Sequence, residues 1–296
     1  MLKSLNTLVW ICDRATERGG IAKSLADIYP FLKLHWNIEF LAPSNARFEH
    51  LESEGARVHR VLSRFPRSRG YVWVGLSVAP AIRYLERIRP SAVIVDHTNG
   101  LRLMNVLNSL WRATPLIYRN HGAEFLQVRR RRSNKLLAHC SSIITVCDSE
   151  AETISALTGR PAEVIPNCVP AHILQGRSSG KAAEKLIIGY IGWLSKDKGI
   201  FAFMEVVKKV VQSVPTAKGL IRGSIVCSAG HEDREIRTAV TSQKFCCYEG
   251  ETLRENVFDD LTFLIVASRR ESFGLSILEA PFHNVVPIAF DSVGPR

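Results

Sequence analysis

Short apolar runs alternate along this chain with longer stretches in which apolar residues recur at helical spacing. In the first half the runs predict strands at 5–12, 38–42, 57–62, 92–95, 116–118, 143–146 and 163–165, with helical stretches between most of them. Gly176, Ser178, Ser179 and Gly180 then dilute the pattern, which places an interdomain linker at 173–184. After it the alternation restarts, with strands at 186–191, 220–226, 245–249, 261–266 and 285–290 and helices near 199–214, 233–240 and 273–283. Strand–helix alternation implies βα units and mostly parallel sheets. The expected class is therefore α/β, two Rossmann-like domains at 1–172 and 185–296 facing a cleft, with ligands outside the C-terminal strand edges.

Composition agrees. The 296 residues, 46% of them hydrophobic, are enough for two moderate cores. No apolar run reaches bilayer length, and the start Met1-Leu-Lys-Ser-Leu-Asn6 lacks a signal-cleavage pattern, so a cytoplasmic location is expected. Seven cysteines with no paired metal spacing read as reduced thiols, with neither zinc nor disulfides.

The net charge of +11 is uneven. No acidic residue lies between Glu54 and Glu86, where Arg57, Arg60, Arg64, Arg67, Arg69 and Arg83 fall; a second run, Arg129 to Arg132 with Lys135, occupies the acid-free interval from Glu124 to Asp148. Two readings stay open: solvated faces, or docking of this half on an anionic membrane or a phosphate-bearing, lipid-linked acceptor. A nucleic-acid partner is not expected, because the arginines are not interleaved with stacking aromatics and no nucleic-acid module is visible.

The segment Ser268-Arg-Arg-Glu271-Ser-Phe-Gly274-Leu-Ser-Ile-Leu-Glu279-Ala follows an apolar strand and enters a helical run. That makes a strand-to-helix turn with unpaired N–H groups, suited to an anionic ligand, with Glu271 in the loop and Glu279 about two turns into the helix. One carboxylate can then face a sugar and the other a ribose diol. The local alternative is a helix-start carboxylate at Glu271 and a solvated Glu279.

The spacing Glu-x7-Glu, followed by Ala280 and Val286-Pro287-Ile288, resembles the GT-B retaining glycosyltransferases of family 4. In order, Glu17-Arg18-Gly19-Gly20-Ile21 resembles the family's N-terminal glycine loop and Tyr118-Arg-Asn-His121-Gly122 its His-Gly element. Ile143 to Ser149 and Val164-Ile-Pro166-Asn167 resemble the segments that close the first domain, and Ile188 to Gly199 the strand and phosphate loop that open the second. The resemblance spans nearly the whole chain.

The resemblance implies transfer of a sugar from a nucleotide-diphosphate sugar to a glycan or lipid-linked acceptor with retention of configuration, in cell-surface polysaccharide synthesis. No cofactor or metal is implied, and no Asp-x-Asp signature is present. It assigns His121, Glu271 and Lys198 to catalysis. Gly19, Gly20, Lys198, Glu271, Phe273, Gly274, Leu275 and Glu279 would bind the donor, with Glu279 on the ribose and Glu271 on sugar hydroxyls. Asp96 and His97, at a strand end, are weaker acceptor-side candidates, since such residues commonly cap the next helix.

Three departures stand out. Trp193 occupies the place of the family's usual arginine, so stabilisation of the diphosphate is expected to be weaker, to come from Lys196 or Arg270, or to be absent. Asn284 stands where glycine is usual. The sequence stops soon after the last strand, so an incomplete second domain is expected. These keep open a catalytically impaired protein that binds a nucleotide sugar or glycolipid; a sugar-nucleotide epimerase on the same scaffold is the enzymatic alternative.

Overall fold

Alternate residues of β1 (Thr7–Ile11) project to opposite faces of a sheet, and both faces are covered. Leu8 and Trp10 pack with Phe40, Leu25 and Tyr29, whereas Val9 and Ile11 pack with Leu85, Val95, Tyr118 and Ile143. A strand buried on two sides reads as an unbroken apolar run, which is why the parallel strands are visible in the sequence. Each large side chain buried in this way contributes roughly 1.5–3 kcal/mol.

The computed structural model describes residues 6–12, 20–44, 46–62, 65–67, 70–72, 75–96, 114–122, 134, 137–170, 173, 185–225, 230–269 and 271–291. They fall into two units, Met1–Cys168 and Val169–Arg296.

In the first unit seven parallel strands run in the order β3 (Arg57–Leu62), β2 (Asn37–Pro43), β1, β6 (Ala92–Val95), β7 (Leu116–Arg119), β8 (Ser142–Thr145), β9 (Glu163–Val164). Strand order reverses between β1 and β6, and in open α/β sheets ligands bind outside the C-terminal ends at such a point. An antiparallel hairpin of β4 (Phe65–Arg67) and β5 (Gly70–Val72) lies outside this sheet and was not expected.

The second unit has five parallel strands in the order β12 (Cys246–Gly250), β11 (Lys218–Arg222), β10 (Ile187–Ile191), β13 (Phe263–Val266), β14 (Val286–Ala289), reversing between β10 and β13. The helix Ile200–Ser213 buries Ile200, Phe203, Met204 and Val207, one face at helical spacing, and stops just before Pro215. Two expected elements differ most from those that form. The strand expected at 220–226 ends at Arg222, where Gly223 takes a positive φ. The helix expected at 273–283 is α-helical only over Leu275–Glu279 and continues as a 3-10 turn, Ala280–His283, because Pro281 has no N–H for the α ladder.

Candidate functional site

Polar groups collect at the reversal point of each sheet. In the first unit Asp96 follows β6 and His121 lies two residues beyond β7, both with buried side chains. His121 Nε2 lies 4.0 Å from Asp96 Oδ1, and Arg119 Nε lies 3.9 Å from the same oxygen. Arg119 itself is buried, a costly place for a cation unless it is held by partners. Its Nη2 donates to Ser24 Oγ at 2.6 Å, Ser24 donates to Asn167 Oδ1 at 2.5 Å, and the guanidinium lies 5.3 Å from the centre of the Trp10 ring. Arg119, Ser24 and Asn167 thus bind three separated segments together: the His-Gly element, the helix after the glycine loop, and the Pro166-Asn167 segment. Next to them Asn120 Nδ2 donates to the buried Glu150 carboxylate at 3.2 Å.

Gly20 is the first residue of the helix Gly20–Leu32. Its φ is not in the positive region, and an added methyl group would meet nothing within 4 Å. Among the described residues, neither the positive φ nor the close contact that glycine permits is used there. Gly19 and His97 lie outside the described residues.

In the second unit the loop after β10 and the turn after β13 meet. Lys198 Nζ donates to Glu271 Oε2 at 2.8 Å, so the lysine and the first carboxylate of the sequence motif form an ion pair. The loop is held from below: buried Tyr190 donates its hydroxyl to the Trp193 carbonyl at 2.6 Å, and burial pushes this phenol's pKa upward. Lys198 N–H donates to Ser195 Oγ, and Arg269 N–H donates to the Asp197 carbonyl. Gly274 takes φ +77° directly before the helix Leu275–Glu279, a left-handed conformation that favours glycine. The N–H groups of Phe273 and Gly274 meet no acceptor among the described residues.

Glu279 is not the solvated residue of the local alternative: it is 2% exposed and closes its α-helix, rather than lying two turns into one. Its Oε1 accepts from Arg254 Nη2. Of the groups expected to replace the missing arginine, Lys196 is paired with Glu235 at 2.8 Å, and Arg270 lies outside the described residues. Asn284 takes φ +59°, so asparagine fills the left-handed position where glycine is usual.

The sequence reading missed Arg254 and gave no role to Arg119. A charged residue at the end of a buried strand was a usable signal for Arg119. Nothing near Arg254 in the sequence points to Glu279, 25 positions away. Among the described residues no group of three or more His, Cys, Asp or Glu side chains is placed to hold a metal ion, and no helix is long and apolar enough to cross a membrane.

A family model described as Glycosyltransferase Family 4 matches residues 18–172. No curated protein matches the chain. Among solved structures it is similar to Anabaena HepE, solved in complex with UDP and glucose, at 18% identity and TM-score 0.75, covering 98% of this chain and 82% of that one. It is also similar to the pneumococcal O-GlcNAc transferase GtfA in complex with UDP and GlcNAc, at 11% identity and TM-score 0.69, covering 98% and 84%. The lipopolysaccharide outer core galactosyltransferase WaaB matches at 14% identity and TM-score 0.60, covering 97% and 81%.

Proposed function

Because the chain belongs to glycosyltransferase family 4 and has the GT-B fold, we propose that it transfers a sugar from a nucleotide-diphosphate sugar to a glycan or lipid-linked acceptor, with retention of configuration and without a metal ion. The observation that carries this reading is the 2.8 Å pair of Lys198 and Glu271 where the second sheet reverses. It sets a cation for a diphosphate beside a carboxylate for sugar hydroxyls. The UDP and glucose bound by HepE, and the UDP and GlcNAc bound by GtfA, support a nucleotide sugar as the donor.

In this reading the diphosphate draws the Lys198 ammonium from Glu271 and accepts from the N–H groups of Phe273, Gly274 and Leu275, which stabilises the leaving group. Glu271 is then able to accept from the donor sugar's hydroxyls and Glu279 from its ribose. Bond cleavage leaves an oxocarbenium-like sugar, the acceptor hydroxyl attacks from the face the diphosphate leaves, and the diphosphate takes the acceptor's proton. On the first unit, we assign the Gly19-Gly20 loop and His121 to the transferring sugar, and Asp96 and His97 to the acceptor. The product belongs to cell-surface polysaccharide.

A thermal-shift panel of UDP- and GDP-sugars, followed by transfer to a lipid-linked acceptor, tests this. The expected result is stabilisation by one donor and acceptor-dependent release of its nucleoside diphosphate, unchanged by EDTA, with the product's anomeric configuration matching the donor's by NMR. Stabilisation without transfer would favour the impaired binding protein to which Trp193 points. No response to any nucleotide sugar would end the donor reading.

A further inference from the structure

We infer that Arg254 orients Glu279 and so sets this unit's preference for nucleotides that carry a ribose diol; this rests on the ribose role proposed for Glu279. Arg254 lies in the short 3-10 turn Arg254–Asn256 after β12, and its Nη2 donates to Glu279 Oε1. The side chains of this pair are 19% and 3% exposed, whereas those of Lys198 and Glu271 are 37% and 21% exposed. The difference separates the two carboxylates. An ion pair open to water exchanges partners at little cost, so Glu271 can release Lys198 to a phosphate. Glu279 is buried, so opening this pair would strand its carboxylate, and Arg254 stays on it.

The fixed contact also has direction. A guanidinium donates along fixed in-plane N–H directions, so the Nη2 contact to Oε1 restricts how the carboxylate turns, whereas an ammonium donates freely about its axis. With Oε1 engaged, Oε2 is the oxygen that accepts from the diol, and among the described residues no other group bonds to it. The turn carrying Arg254 is itself anchored by buried Arg222 at the end of β11. Arg222 Nη1 donates to the carbonyls of Asn256, Val257 and Asp259 at 3.3, 3.0 and 2.7 Å, and its Nε donates to Glu249 at 2.8 Å. Buried Arg222 and partly buried Arg254 in series thus run from the sheet to one carboxylate oxygen, which makes Arg254 a positioning residue.

Calorimetric titration of the full chain with UDP, GDP and their 2′,3′-dideoxy forms tests this on the wild type, Arg254→Met, Arg254→Lys and Glu279→Gln. The wild type is expected to bind one ribonucleotide about tenfold more tightly than its dideoxy form. Arg254→Met should weaken the ribonucleotide about tenfold and leave the dideoxy form within about twofold, with Arg254→Lys between; in the Glu279→Gln background Arg254→Met should change neither. A purely structural role would weaken both forms alike, and that result, or no change in either, overturns the inference alone. If Arg254→Met does not fold, the ratio measured on Arg254→Lys decides in the same way. A wild type that binds neither UDP nor GDP overturns both the donor reading and this inference.

Discussion

Gly199 has a φ of +75°, and a methyl group on it would lie 2.1 Å from the carbonyl oxygen of Ala267, at the end of the neighbouring strand. Only glycine allows the Lys198 loop to come this close to the turn that carries Glu271. Gly199→Ala therefore adds a left-handed strain of roughly 1–2 kcal/mol to a clash with backbone. We predict a loss of about 2–4 kcal/mol, seen as a drop of several degrees in the second unit's thermal midpoint together with weaker nucleotide-sugar binding. Lys198→Ala separates these effects. The Lys198–Glu271 pair is open to water, so its removal should cost less than about 1 kcal/mol of stability, yet donor binding should fall about tenfold or more. A large fall in the midpoint of Lys198→Ala would instead make the pair a structural tie. The two glutamates and Lys198 were legible because each lies inside a local motif. Arg254 was not, because its partnership with Glu279 exists only once β12 and β13 share a sheet.

On the edge of the first sheet, β2 and β3 bring together a cluster around Glu39. Glu39, 5% exposed, accepts from His59 Nε2 at 2.6 Å, Tyr84 Oη at 3.0 Å and Arg57 Nη1 at 3.1 Å. Burial pushes the Glu39 carboxyl up, but the hydrogen bonds from His59, Tyr84 and Arg57 outweigh it and hold the pKa below the ordinary 4.5. Burial, with Glu39 alongside, pushes the Tyr84 phenol up. A carboxylate with a lowered folded pKa contributes its full stability above the unfolded value, and loses it as pH falls through the folded one. Glu39→Gln should thus destabilise the first unit by about 1–3 kcal/mol at neutral pH, with the gap to wild type closing below about pH 4 in urea unfolding. An equal gap at pH 7 and pH 3.5 would rule out the linkage. The strands of this sheet were readable because burial on two faces leaves continuous apolar runs. The β4–β5 hairpin was not, since Phe65–Arg67 carries a proline and an arginine and Gly70–Val72 opens on glycine. The break at Pro281 is a third case: apolar spacing continues through 273–283, but the α ladder cannot.

For the whole molecule, net charge adds what no single site supplies. Nearly all of the +11 excess lies in Met1–Cys168, while Val169–Arg296, which carries the two motif glutamates, is close to balanced. Part of that excess is already committed inside the first unit: Arg60 pairs with Glu52 at 2.7 Å, Lys33 with Glu54 at 3.0 Å and Arg57 with Glu39 at 3.1 Å, and Arg160 donates to the carbonyls of Leu137 and Cys140. Arg83, Arg87 and Arg89, on and just after the helix Gly75–Ile88, are exposed, and Arg129 to Arg132 lie outside the described residues. A cation near an anionic bilayer contributes about 1 kcal/mol, so several acting together suffice for salt-sensitive attachment without any spanning segment. Such attachment would hold the enzyme beside a lipid-linked acceptor. The protein should float with vesicles rich in phosphatidylserine or phosphatidylglycerol at about 0.05 M salt, remain behind with phosphatidylcholine, and be released as salt shortens the Debye length toward about 5 Å. Reversing Arg83, Arg87 and Arg89 to glutamate should lower flotation in step with charge and leave the affinity for nucleotide sugar unchanged, because none of the three is among the groups proposed to bind the donor. Flotation indifferent to lipid charge or to salt would leave the basic residues as a solvated surface.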